Sequence, residues 1–219
     1  MGAYIEALIL YIIIFFSQSG IIGSGAAGGS FETASFSAYP VIINIFLFCI
    51  PSLALIWYLI YKSWKIEYWI VRPGKKDSAC FLFTFPLLLI TGFSVSFISA
   101  FTGGFQGQAM PVSVPSSVTG WALICVLCVL SAYLEESFFR FYLLSKREEL
   151  NLNAPSALAF STSLFAICHI YEGPWGFLNA LLSGLLLGYM FLRHNSLHGV
   201  AAAHALYNIA AFILFAARG

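Results

Sequence analysis

A chain of 219 residues that is 60% apolar and only 9% charged cannot coat a soluble globule, because ordinary chains run about 45–50% apolar and about 25% charged. Ten Lys and Arg against nine Asp and Glu leave a formal charge of +1, with no basic excess to neutralise phosphates, so a nucleic-acid binder is excluded. Length and composition also exclude a disulfide-stapled secreted module, and a mean hydropathy of +0.90 points to an all-α, polytopic transmembrane helical bundle.

A helix needs roughly 20 apolar residues to cross a bilayer. In chain order the predicted spans are Tyr4–Ile22, Pro40–Tyr61, Ala79–Phe101, Val118–Ser145, Ala154–Ile170, Pro174–Leu192 and Leu197–Ala217. That is seven spans, or six to eight if a segment is broken or re-entrant. No Lys or Arg precedes the first apolar run, so it does not read as a cleavable signal peptide. Gly23–Ser37, rich in Gly, Ser and Ala, is a predicted loop. One membrane domain fills residues 1–219, and 118–217 hold the chemistry-bearing helices. The five cysteines, Cys49, Cys80, Cys125, Cys128 and Cys168, lie in apolar runs. The Cys125/Cys128 pair has no second Cys pair to complete a metal site, and both read as small hydrophobes.

Orientation follows from the basic residues. Lys62, Lys65, Arg72, Lys75 and Lys76 fall between the second and third spans, Lys146 and Arg147 follow the fourth, and Arg193 follows the sixth. Thr102–Ser117, on the opposite side, carries no Lys or Arg. The N-terminus is expected in the cytoplasm and the C-terminus outside. Trp64, Tyr68 and Trp69 beside the first basic cluster suggest a segment lying in the membrane interface.

Ionisable groups inside a span are costly and mark function by default. The fourth span holds Glu135, Glu136 and Arg140. Glu135 lies eleven residues before Lys146, about 16 Å along a helix and deep in a core about 30 Å thick. Glu136 and Arg140 are four apart with the glutamate first, the favoured order for a pair on one helix face. Glu135 points about 100° away. One glutamate is therefore expected to be neutralised structurally, leaving the other as a desolvated general base. A charged cluster that only joins helices is the structural alternative.

The fifth span carries Phe165 and His169, the seventh His204 and Asn208, each pair four apart. The Asn208 amide can orient the His204 imidazole and fix its tautomer. His169 alone would more often be a structural histidine. His194 and His198 fall in the turn between the last two spans and read as interface residues. By helical rise His169 lies about 22 Å and His204 about 12 Å from the inner ends of their spans, so the groups converge only if the fifth span starts late or tilts.

The order E-E-x-x-x-R, F-x-x-x-H, H-x-x-x-N on three spans resembles the CAAX protease and bacteriocin-processing (CPBP, or Abi) family of intramembrane proteases. The carriers are Glu135, Glu136 and Arg140, then Phe165 and His169, then His204 and Asn208. Gly184 and Gly188 look like that family's small-residue helix, and the resemblance covers roughly Ala122 to Phe215. Phe141, where many relatives place Gly after the Arg, and His198, where bacterial relatives often carry an apolar residue, depart from the pattern without touching a motif residue. The resemblance implies a glutamate-type endopeptidase acting on a membrane-anchored protein or peptide (CAAX-type, sorting-tail or bacteriocin-type). Glu135 would activate water, His169 would position it, and His204 and Asn208 would stabilise the oxyanion. Glu136, Arg140 and Phe165 would hold the site's shape. The compact size, with no added soluble domain, leads to the expectation of a multi-pass protein of a prokaryotic inner membrane.

Two other readings use the same residues. Glu135, His169 and His204 could form a His₂Glu zinc set with one open position, although no H-E-x-x-H is present; a metal-free site is the reading adopted here. A proton-coupled transporter could use the glutamates and histidines as a relay, but no inverted-repeat halves are visible.

Overall fold

The structure, a computed structural model, describes residues 2–16, 36–63, 72–102 and 114–217. Among the described residues every regular element is helical, and contiguous stretches join into seven helices. Helix α1 runs Gly2–Tyr11 and continues as a π-helical stretch, Ile12–Phe16. Helix α2 joins Ala38–Ile43, a π-helical Asn44–Cys49 and Ile50–Ser63. Helix α3 is Lys75–Phe101. Helix α4 joins Val118–Glu136, a π-helical Ser137–Tyr142 and Leu143–Ser145. Helix α5 is Ala154–Ile167, followed by a 3₁₀ turn at Ile170–Glu172. Helices α6, Gly173–His194, and α7, Leu197–Ala216, complete the bundle.

Among the described residues, five segments are long and apolar enough to cross a membrane: Ala38–Lys62, Lys75–Phe101, Val118–Ser145, Ile170–His194 and Leu197–Ala216. The chain is an integral, multi-pass membrane protein. Helix α3 shows the solvent it is built for: Leu82, Phe83, Ile90, Phe93 and Phe97 face outward, while Cys80, Thr84, Leu88 and Ser99 are buried. Lipid tails solvate the outer set at no cost, and the helix satisfies its own backbone.

One predicted span is shorter than expected, and another is described only in part. The described part of the first ends at Phe16, and residues 17–22 lie outside the described set. The fifth does not reach Ile170: α5 stops at Ile167 after 14 residues, about 21 Å of helix against about 30 Å of hydrocarbon. Its start is fixed by Asn153, whose side chain accepts from Ser156 N at 2.9 Å, with Pro155 in the first turn. Its end is fixed by a turn at Cys168–His169, and Gly173, at φ 78°, lets the chain reverse into α6. His169 therefore sits at the tip of an α5–α6 hairpin rather than on a helix. Most of the predicted loops at Gly23–Ser37 and Thr102–Ser117, and the interfacial Lys65, Trp64, Tyr68 and Trp69, lie outside the described residues.

Side-chain caps set the other ends that matter. Ser117 accepts from Gly120 N at 3.1 Å to start α4, and Ser196 accepts from Gly199 N at 2.9 Å to start α7. Asn195, at φ 48°, makes the left-handed reversal between α6 and α7. Ser196 also donates to Asp77 of α3, and Lys76 Nζ donates to Asn195 O at 3.0 Å. At the same end α1 is tied to α4, with Lys146 Nζ 2.8 Å from Glu6 Oε1 and Tyr142 Oη donating to the same oxygen.

Candidate functional site

The last α-helical turn of α4 delivers Glu135 and Glu136, and its π-helical stretch delivers Arg140. A π-helical segment inside an α-helix frequently marks a functional site; here it begins directly after the two glutamates and contains Arg140. Bonds from other helices hold it. Trp57 Nε1 of α2 donates to Ser137 Oγ at 3.2 Å, and Ser161 Oγ of α5 donates to Phe139 O at 2.6 Å. The second bond sets the level at which α5 meets α4, bringing Phe165 beside Arg140.

The two glutamates differ in surroundings as the helical wheel requires. Glu136 is fully buried, and its Oε2 lies 3.0 Å from Arg140 Nε, itself 1% exposed. Glu135 is 18% exposed, and its Oε2 has no hydrogen-bond partner. Arg140 also donates from Nη2 to Gly184 O of α6 at 3.2 Å, and its guanidinium lies 4.4 Å from the centre of the Phe165 ring, close enough for a cation–π contact.

His204 comes in from α7. Its Nδ1 is 2.8 Å from Glu136 Oε1, and its Nε2 is 3.7 Å from Glu135 Oε2. A carboxylate only accepts, so Nδ1 carries the proton that bonds Glu136; the other gap is too long for a direct hydrogen bond. This corrects the expectation that Asn208 orients the imidazole. Glu136 does so, using the carboxylate oxygen that Arg140 leaves free, while Asn208 stands one turn farther along α7, half-buried. Glu136 thus holds a cation on its own helix and a histidine 68 residues away. Two carboxylates face one guanidinium, so the cluster carries one formal negative charge with His204 neutral and none with it protonated.

His169 also packs against Phe165. Its ring centre is 4.7 Å from that of Phe165, and its Nδ1 donates to Phe165 O at 2.8 Å. That bond leaves Nε2 as the nitrogen available to a reactant. Phe165 is the common floor: the His204 ring stands 6.0 Å from it, edge-on, and the Phe139 ring 5.2 Å. Gly184 makes this close approach possible, since a β-carbon there would meet Phe165 Cδ1 at 2.9 Å. The structure therefore brings Glu135, Glu136, Arg140, Phe165, His169 and His204 together, and places Asn208 one turn beyond.

His204 Nδ1 is taken by Glu136, and among the described residues no three His, Cys, Asp or Glu side chains converge as a ligand group. His194 stacks on Phe83 at 6.3 Å and His198 bonds Tyr133 at 3.1 Å, apart from the cluster. Cys125 and Cys128 are unpaired thiols along α4.

Four residues near the site carried no motif signal. Glu172 follows His169 by one 3₁₀ turn and lies within electrostatic reach of His169 and Glu135. Tyr171 stacks on His169 at 6.4 Å. Asn179 of α6 and Tyr207 of α7 bond each other at 3.1 Å. The spacing Glu172, Gly176, Asn179, Ser183, a polar or small line on one helix face, was the available sequence signal.

Residues 117–210 match the family described as type II CAAX prenyl endopeptidase Rce1-like. The matched segment includes every residue of the cluster. No curated protein and no solved structure matched the chain.

Proposed function

With residues 117–210 belonging to the type II CAAX prenyl endopeptidase Rce1-like family, we propose that this protein is an intramembrane endopeptidase that hydrolyses a peptide bond of a membrane-anchored protein or peptide. The observation that carries the reading is the asymmetry of the glutamates: Glu136 is locked between Arg140 and His204, while Glu135 keeps an unpartnered oxygen facing His204 Nε2 across 3.7 Å. A water seated beside this pair can bond both groups at once.

In this mechanism Glu135 takes a proton from water as the hydroxyl oxygen attacks the scissile carbonyl carbon. His169, its Nδ1 held by Phe165 O, offers Nε2 to the same water. The carbonyl oxygen becomes an oxyanion that accepts from His204 Nε2–H and the Asn208 amide. His204 donates from Nε2 as the doubly protonated imidazolium, with Nδ1–H held on Glu136; that cation balances the cluster's formal charge. Glu135 then passes its proton to the leaving amine as the C–N bond breaks. No cofactor enters the scheme, and the substrate is a chain held at the bilayer by a lipid or an apolar tail. A location in a prokaryotic inner membrane belongs to the same proposal.

The test is cleavage of a membrane-anchored peptide by purified protein, with the new termini read by mass spectrometry. Glu135→Gln keeps size and hydrogen bonding but removes the base. It is expected to lower the rate at least about 10²-fold, the low end of general-base contributions, with the melting temperature unchanged. No cleavage by the wild type, or equal cleavage by Glu135→Gln, would overturn the proposal.

A further inference from the structure

Hydrolysis inside a bilayer requires water at a site surrounded by lipid-facing helices, and α6 carries a feature the mechanism has not used. Glu172, Gly176, Asn179 and Ser183 are spaced i, i+4, i+7 and i+11, all within about 60° of one another on a helical wheel of 100° per residue. Gly176 has no room for a side chain: a β-carbon there would lie 2.2 Å from Glu172 Cβ and 2.9 Å from Glu172 Oε2. The Glu172 side chain thus lies against Gly176. Asn179 Nδ2 donates to Tyr207 Oη at 3.1 Å, and Glu172 is within electrostatic reach of that tyrosine. Gly92 of α3 makes space for the phenol, since a β-carbon there would be 2.4 Å from Tyr207 Oη.

The line continues inward. Helices α6 and α7 are joined only by Asn195 and Ser196, so they run antiparallel. One turn inward from the Asn179–Tyr207 pair lies Ser183 on α6 and His204 on α7. Ser183 is 5% exposed, and its hydroxyl has no hydrogen-bond partner. Arg140 reaches the next residue, Gly184, and its Nη1 is likewise unpartnered, as are Thr162 Oγ1 and Glu135 Oε2. Buried polar groups without protein partners are the groups that ordered water satisfies.

We propose that the seam between α6 and α7, from Glu172 past Asn179 and Tyr207 to Ser183, is a hydrated path that brings water to Glu135 and His204. The path rests on the hydrolase reading for its purpose, but its hydration can be measured without cleavage.

The experiment uses the full-length protein in liposomes, with the five native cysteines replaced by Ala. Ser183→Cys is nearly isosteric, and the thiolate that reacts with silver ion forms only in contact with water. Silver ion, close to water in size, is added for timed intervals, and the remaining thiols are counted after denaturation. Ser183→Cys is expected to react at least about tenfold faster than lipid-facing Leu182→Cys, and Asn179→Leu is expected to slow that reaction at least about tenfold. Equal rates at 182 and 183 would overturn the path, as would a fast reaction at 183 that Asn179→Leu leaves unchanged. Melting temperatures near that of the parent show that each variant is folded. If labelling behaves as expected while the wild type cleaves nothing, the path stands and the hydrolase reading falls.

Discussion

Replacing Glu136 by Gln tests whether one carboxylate does two separate jobs. In the structure its Oε2 faces Arg140 Nε at 3.0 Å and its Oε1 faces His204 Nδ1 at 2.8 Å, with almost no solvent at any of the three side chains. Breaking a buried pair by removing one partner costs about 3–5 kcal/mol, because the remaining charge is left uncompensated. For a chain of this length each kcal/mol moves the melting temperature by roughly 2–4 °C, so Glu136→Gln should melt about 6–20 °C lower. Adding Arg140→Met removes the stranded guanidinium and should recover at least half of that loss. Activity should not follow. The second substitution does nothing for His204, whose Nδ1–H now meets a neutral amide, and loss of a carboxylate behind a catalytic imidazole can cost as much as about 10⁴ in rate. Melting temperature in detergent and cleavage of a membrane-anchored peptide, measured on wild type, both single variants and the double variant, close the cycle. If the double variant regains cleavage together with stability, Glu136 serves only to neutralise Arg140, and the assignment of His204 to it is wrong. If Glu136→Gln melts with the wild type, Arg140 does not depend on Glu136 for its compensation, and the reasoning fails.

Gly199→Ala should lower the melting temperature by several degrees, because its β-carbon would stand 2.6 Å from Cys80 Cβ and 2.8 Å from Asp77 O, and crowding of this kind costs about 1–3 kcal/mol. Gly188→Ala should be milder, since the atom in its way is the end of a flexible side chain, Leu158 Cδ1; the same melting assay compares the two. Purified protein should hold well under one zinc per chain and keep its cleavage activity in chelator. Metal analysis with a chelator titration checks this, and activity lost to chelator and restored by zinc would reverse the reading. Single cysteines placed between Lys62 and Asp77 should react with impermeant reagents only from the cytoplasmic side, and those between Thr102 and Ser117 only from outside.

The sequence by itself determined the solvent and the cast. A chain with 60% apolar and 9% charged residues has one stable home, and helices are what such a chain forms there, because hydrocarbon offers no partner for an open backbone. The same scarcity of charge made Glu135, Glu136 and Arg140 conspicuous, and the four-residue spacing of Glu136 and Arg140 predicted the ion pair found at 3.0 Å, since that geometry is local to one helix. What lay between helices was not legible. Pattern paired His204 with Asn208 because both sit on one face of α7, whereas the structure gives the imidazole to Glu136, 68 residues earlier. Nor did apolar content show that α5 ends at Ile167 and leaves His169 in a turn, because a helix that stops midway and one that crosses can be equally apolar. Burial sealed Glu136 from solvent and left Glu135 partly exposed, and burial is set by where α5, α6 and α7 pack around α4, through contacts such as Ser161 to Phe139 and Arg140 to Gly184. Such contacts depend on the shapes of whole helix surfaces, so no window of neighbouring residues contains them.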